Sequence, residues 1–217
     1  MRLVIVPLLC LLCASRAIAQ TEAEAAVLPR VIDMLCVDMI EARNGCETFV
    51  LLTSESEPDA ADLIIYSDRR AQAQQEIFGI ARNIAFNGPW FGQAPSLSLA
   101  DDGSVQVLEE QIAIGRSPWT QSLTIDFIDG TFIVSERGHS TYDRATGGGF
   151  NCDVDFMTGT WAISADRPDP ESGETVYDVS DSGIIPPAPI ALSDWTWTSP
   201  LPVPCADALD AWWAVAP

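Results

Sequence analysis

Leu123-Thr124-Ile125-Asp126-Phe127-Ile128-Asp129-Gly130-Thr131-Phe132-Ile133-Val134-Ser135 decides the fold class. Two short runs rich in β-branched and aromatic residues flank an Asp-Gly step, a strong hairpin signal. Both turn positions need positive φ, which glycine adopts freely and aspartate better than most. The stretch predicts two antiparallel strands, Leu123–Ile128 and Thr131–Ser135.

The same pattern continues on both sides. Leu97–Ala100 and Val105–Leu108 flank Asp101-Asp102-Gly103-Ser104, and Cys152–Phe156 and Thr160–Ser164 flank Met157-Thr158-Gly159. Further upstream, Thr48–Thr53 and Leu63–Tyr66 read as strands. Gln72–Phe86 is ambiguous: its first half has helical composition, and Ile77–Phe86 is read as a strand. Asp126–Val134 aligns with Asp155–Ile163 at an offset of 29, sharing Asp, Phe, Gly and Thr. With too few strands for a propeller, this is read as two hairpins with similar turns rather than a repeat architecture. The expected fold is mainly β, an antiparallel barrel or sandwich built from hairpins, with one N-terminal and one short C-terminal helix.

The N-terminal helix is expected over Leu28–Arg43, where Val31, Leu35 and Met39 recur at fourfold spacing behind Pro29. Arg167–Pro189 holds five prolines and reads as an irregular excursion, with Val176–Val179 a short edge strand. The tail carries Trp195, Trp197, Trp212 and Trp213, read as a lid on the core. Within it, Cys205–Val215 is expected as a closing helix with Leu209 and Trp212 or Trp213 turned inward.

Met1-Arg2, the uncharged run Leu3–Ala14 and Ala17-Ile18-Ala19 have the order of a secretory signal peptide cut after Ala19. At ~1.5 Å per residue the apolar run is too short to span a bilayer. The reading divides the chain into a signal peptide (1–19), an N-terminal helix region (20–46) and one β domain (47–217), the last with the excursion at 167–189 and the Trp-rich tail. Export makes the product periplasmic or secreted, with no membrane span. Four cysteines remain after cleavage, and an even number in an oxidising compartment implies disulfides. Of the three pairings, Cys36–Cys46 with Cys152–Cys205 is preferred because the first two lie close in sequence.

The chain carries 31 acids against 11 cations, a formal charge of −20, and every cation is arginine. Such acidity argues against nucleic acid and anionic membranes and favours cationic partners. No specific catalytic motif is present, so no catalytic residue is assigned and the chain is not read as an enzyme. The only histidine, His139, precedes Ser140, and strand neighbours point to opposite faces. No C-x-x-C pair marks zinc, and no cofactor is implied. Asp153 and Asp155 share a strand face and form a weak calcium candidate. Trp90 and Phe91 in one loop, Arg116 and Trp119 in another, and Tyr142 and Arg144 beside them combine aromatics with arginine, as binding hot spots do. The first two loops fit as well a closed sheet end with arginine stacked on tryptophan. Tyr142-Asp143-Arg144 is read as an internal Asp–Arg pair, with a surface ion pair of little weight as the alternative.

Asn87-Gly88-Pro89-Trp90, Gly92-Gln93, Ile114-Gly115-Arg116, Trp119-Thr120-Gln121, Ser140-Thr141-Tyr142-Asp143-Arg144 and Cys152-Asp153-Val154 lie within roughly residues 85–165. There the chain resembles uncharacterised exported proteins of proteobacteria. The resemblance implies an exported β domain and brings no activity. The expected function is a non-catalytic periplasmic or secreted binding protein, with a cationic protein as one partner that fits the charge. The alternative is a glycan-directed protein, a carbohydrate-binding module or weak hydrolase, using Trp90 or Trp119.

Overall fold

The computed structural model describes residues 21–40, 45–67, 76–88, 93–169 and 171–215. A short helix, α1 (Glu22–Val27), opens on a capping box between Thr21 and Glu24. After a 3-10 turn at Leu28–Arg30 come β1 (Val31–Val37), β2 (Glu47–Thr53), β3 (Ala60–Tyr66) and β4 (Ile77–Phe86), a four-stranded antiparallel sheet in chain order. The second sheet contains β5 (Ser96–Leu99), β6 (Val105–Gln111), β7 (Trp119–Ile128), β8 (Thr131–Tyr142), β9 (Gly149–Asp155), β10 (Thr160–Pro168) and β11 (Thr175–Ile184). The two-residue β12 (Ile190–Ala191) pairs with the first half of β8, and α2 (Val203–Ala214) closes the chain.

The protein is thus mainly β and antiparallel, with two helices. Among the described residues the sheets form no closed barrel, and they share one core. Phe49, Leu51, Leu63 and Ile65 of the small sheet pack with Val107, Leu123, Ile125 and Phe132 of the large one. Phe49 meets Phe132 edge to face at 5.8 Å. Each such side chain, once buried, contributes about 1.5–3 kcal/mol. The central hairpin forms β7 and β8, with positive φ at Asp129 (51°) and Gly130 (82°) as its turn demands. The two similar hairpins, β7–β8 and β9–β10, are neighbours in one sheet.

The helix expected over Leu28–Arg43 is absent where the structure describes that segment. The helix ends ahead of Pro29, and Val31–Val37 is a strand paired with β2, Leu35 opposite Phe49. Short apolar runs fit both periods. Here β-branched Val31, Ile32 and Val37 and a ready β2 edge decide for the strand. The N-terminal region is therefore part of the β body. Residues 41–43 of that expected helix lie outside the described residues, as do 1–20 with the signal-peptide reading. The segment expected as irregular is largely paired: β10 runs to Pro168, and β11 is a ten-residue edge strand.

Both disulfides form as expected, Cys36–Cys46 and Cys152–Cys205. The second staples α2 to β9. Trp195 and Trp212 are fully buried, and Leu209 packs against the core. Trp212 Nε1 donates to the Asp166 carbonyl at 2.8 Å. Among the described residues no helix is long and apolar enough to cross a membrane.

Candidate binding face

The small sheet and α2 cover one face of the large sheet. Strand alternation then sends the intervening side chains to the other face, which no element covers among the described residues. Register places Gln106, Thr124, Glu136 and Asp155 in one row across β6–β9. The next row holds Ser122, Gly138, Asp153, Ala162 and Ser182, and the one after it Thr120, Ser140, Asn151, Ser164 and Ser180. Their strand neighbours Leu123, Cys152, Val154 and Ile163 point inward and are buried. Apart from Leu108 and Ala162, the face is a field of short hydroxyl, amide and carboxylate groups.

Gly138 sets its relief. A Cβ there would lie 2.6 Å from Ser122 Oγ and 3.0 Å from Asp153 Oδ1, so the glycine floors a trough that any side chain would fill. The trough has a volume of about 380 Å³ and is bordered by Ser122, Thr124, Glu136, Asp153, Asp155 and Trp161. Thr124 Oγ1 donates to Glu136 at 3.1 Å. Burial pushes the Asp155 carboxyl up, but hydrogen bonds from Thr158 and the Met157 N–H outweigh it and hold it below its ordinary value. Both Asp155 oxygens serve that turn. Partial burial raises the Asp153 carboxyl, with no compensating partner. The calcium candidate thus has one carboxylate occupied by a turn. No group of three or more potential ligands gathers among the described residues.

The face is also electrically one-sided. Glu110, Glu136, Asp153, Asp155, Asp166 and Asp178 alternate onto it. The two arginines of these strands, Arg137 and Arg167, point inward and are buried.

The predicted hot-spot residues gather elsewhere, at one end of the sheet. Arg116 grips the buried Asp143 carboxylate through Nε at 2.6 Å and Nη2 at 2.7 Å. Asp143 therefore pairs with Arg116, and not with its neighbour Arg144. Arg144 donates to the carbonyls of Gly115 (3.0 Å) and Ile112 and lies over the Tyr142 ring at 6.0 Å. Trp119 packs on Phe86, ring centroids 5.5 Å apart, and Phe86 on Trp197. Arg116, Trp119, Tyr142 and Arg144 thus brace this end. Trp90 and Phe91 lie outside the described residues.

The buried polar groups form tethers. The Glu109 carboxylate accepts from the Phe86 N–H and from Gln121, whose Oε1 accepts from Arg137 Nε at 2.7 Å. Arg137 donates onward to the carbonyls of Ser199 (3.0 Å) and Pro200 (2.8 Å). Burial raises Glu109 to about 7 and lowers Arg137 to about 10. Burial, then the Arg137 charge, lowers His139 to about 4. His139 shares the inward row with Gln121 and Cys152, while Ser140 points to the open face. The two cannot act as base and nucleophile.

Sequence reasoning missed the open face. Its signal is the period-two polar set Thr120/Ser122/Thr124, Asn151/Asp153/Asp155 and Ser180/Ser182, interleaved with inward apolar residues. No protein-family model matches the chain, and no curated protein or solved structure matches it either.

Proposed function

We propose that this chain is an exported, non-catalytic binding protein and that the open face of its large sheet receives a cationic protein. The carrying observation is that six carboxylates project from one uncovered face on which no arginine of its strands appears. Together with the charge of −20 this makes a field that draws basic partners and speeds their encounter. Two disulfides agree with an oxidising compartment, and the leader-like start and the resemblance to exported proteobacterial proteins support export.

The test uses cytochrome c as a basic protein probe, titrated by calorimetry from about 20 to about 200 mM salt. The expected result is binding that weakens at least ~10-fold across that range and again in the triple variant Glu110→Gln, Glu136→Gln, Asp153→Asn. Binding insensitive to both salt and the triple variant overturns the reading.

A glycan is the second reading, favoured by the trough itself, where hydroxyls and carboxylates meet. Filling the floor with Gly138→Val would abolish oligosaccharide retention on affinity electrophoresis. Retention unchanged by that substitution excludes the trough.

A further inference from the structure

Among the described residues β11 ends the large sheet, and β10 is its only strand neighbour. Its ten residues, Thr175–Ile184, contain no proline and no cation. The Ile185 N–H donates to the Gly159 carbonyl at 2.9 Å, in the register that continues from Thr160 opposite Ile184. Doubly bonded pairs recur every second residue in an antiparallel ladder. Gly183, Asp181, Val179 and Tyr177 therefore bond to β10. Ser182, Ser180 and Asp178 turn their N–H and C=O groups to the outer edge. The Ser182 N–H is met by the Asp181 carboxylate at 2.8 Å, and among the described residues nothing pairs with the edge at Ser180 and Asp178.

β1, at the end of the small sheet, is treated differently. Asp33 accepts there from the Met34 N–H at 2.8 Å and from the Leu97 N–H of β5 at 2.7 Å, so one side chain fastens β1 to β5. An unfastened edge strand is a template for another strand. A second copy fits it badly, because it would bring another Asp178 and Asp181 to the seam with no cation on either strand to offset them.

We infer that the β11 edge accepts an extended cationic segment of a partner protein as an added strand, its backbone pairing at Ser180 and Asp178 and its cations meeting Asp166 and Asp178 on the open face. This rests on the cationic-partner reading above and says how such a partner attaches.

The probe is a labelled peptide alternating arginine and valine, followed by fluorescence anisotropy at low salt. Two versions carry N-methyl groups on one or the other alternating set of amides. The expected result is that one methylated version binds at least ~10-fold more weakly and the other stays near the parent, since only one edge of an added strand pairs. Ser180→Pro, which removes an outward N–H that an edge strand can spare, should weaken the parent peptide to the same degree. The methylated peptides decide the matter even if that variant does not fold. Equal binding by all three peptides, with loss only in the open-face triple variant, overturns the edge inference and leaves the open-face reading standing. Failure of the parent peptide and of cytochrome c to bind overturns both. Concentration-dependent dimers in sedimentation equilibrium that Ser180→Pro abolishes would assign the edge to a second copy and overturn the inference.

Discussion

Arg116 and Asp143 are joined by two parallel hydrogen bonds, 2.6 and 2.7 Å long, across the loops that follow β6 and β8. The carboxylate is fully buried and also accepts from the Ala145 N–H (3.0 Å) and the Thr146 hydroxyl (3.1 Å). On its far side stands Arg167 Nη1 at 3.4 Å, a buried guanidinium stacked on Trp212 at 4.2 Å. One acid thus joins the end loops to the helix lid.

Replacing that acid leaves Arg167 buried without a counter-charge. Asp143→Ala is expected to cost about 3–5 kcal/mol in urea unfolding, the range for breaking a buried ion pair. The Arg116 hydrogen bonds hold the Asp143 carboxyl well below the usual carboxylate range. Its contribution is therefore present above the unfolded value and lost only as pH falls through the lower folded one. A variant as stable as the parent would show that the hub carries no weight.

Glu109 gives the opposite slope. Burial raises its carboxyl from 4.5 to about 7, so the folded chain holds a proton that the unfolded chain releases. Stability from this group is complete below about 4.5 and falls as pH rises towards about 7, by roughly 3 kcal/mol at most. Glu109→Gln should flatten the decline between pH 5 and pH 8 (about those values) in parallel urea titrations. An unchanged slope would place the titrating group elsewhere.

The Cys152–Cys205 bridge closes a separation of 53 residues, and Cys36–Cys46 one of 10. Loop entropy assigns them about 4 and about 3 kcal/mol. Cys152→Ser with Cys205→Ser should lower the melting temperature more than the Cys36/Cys46 double variant. It should also expose Trp212, read as a red shift in tryptophan emission. Equal losses without a shift would mean that α2 stays docked unaided.

The hairpins were legible because Asp-Gly and Thr-Gly steps fix turn geometry locally, whatever surrounds them. β4 was legible in its full extent, Ile77–Phe86, despite an ambiguous start. Both disulfides were legible from spacing. β1 was not, because Val31, Leu35 and Met39 satisfy a helical spacing and only pairing with β2 settles the choice. β11 was obscured by flanking prolines, Pro168 and Pro170 on one side and Pro186 on the other, none of which falls within it. Among the candidate site residues, composition found the Arg116–Tyr142–Arg144 cluster but misassigned the partner of Asp143, since Arg116 is 27 positions away. The open face escaped notice because its side chains are ordinary singly and become a site only when register aligns five strands.

The central claim is that the open face is the recognition surface. Chemical-shift mapping of the labelled protein with cytochrome c tests it most directly. The account predicts perturbations centred on Ser122, Glu136, Gly138 and Asp153 and spreading to Ser164 and Ser180. Perturbations centred on Arg116, Tyr142 and Arg144, with the trough residues unmoved, would contradict it.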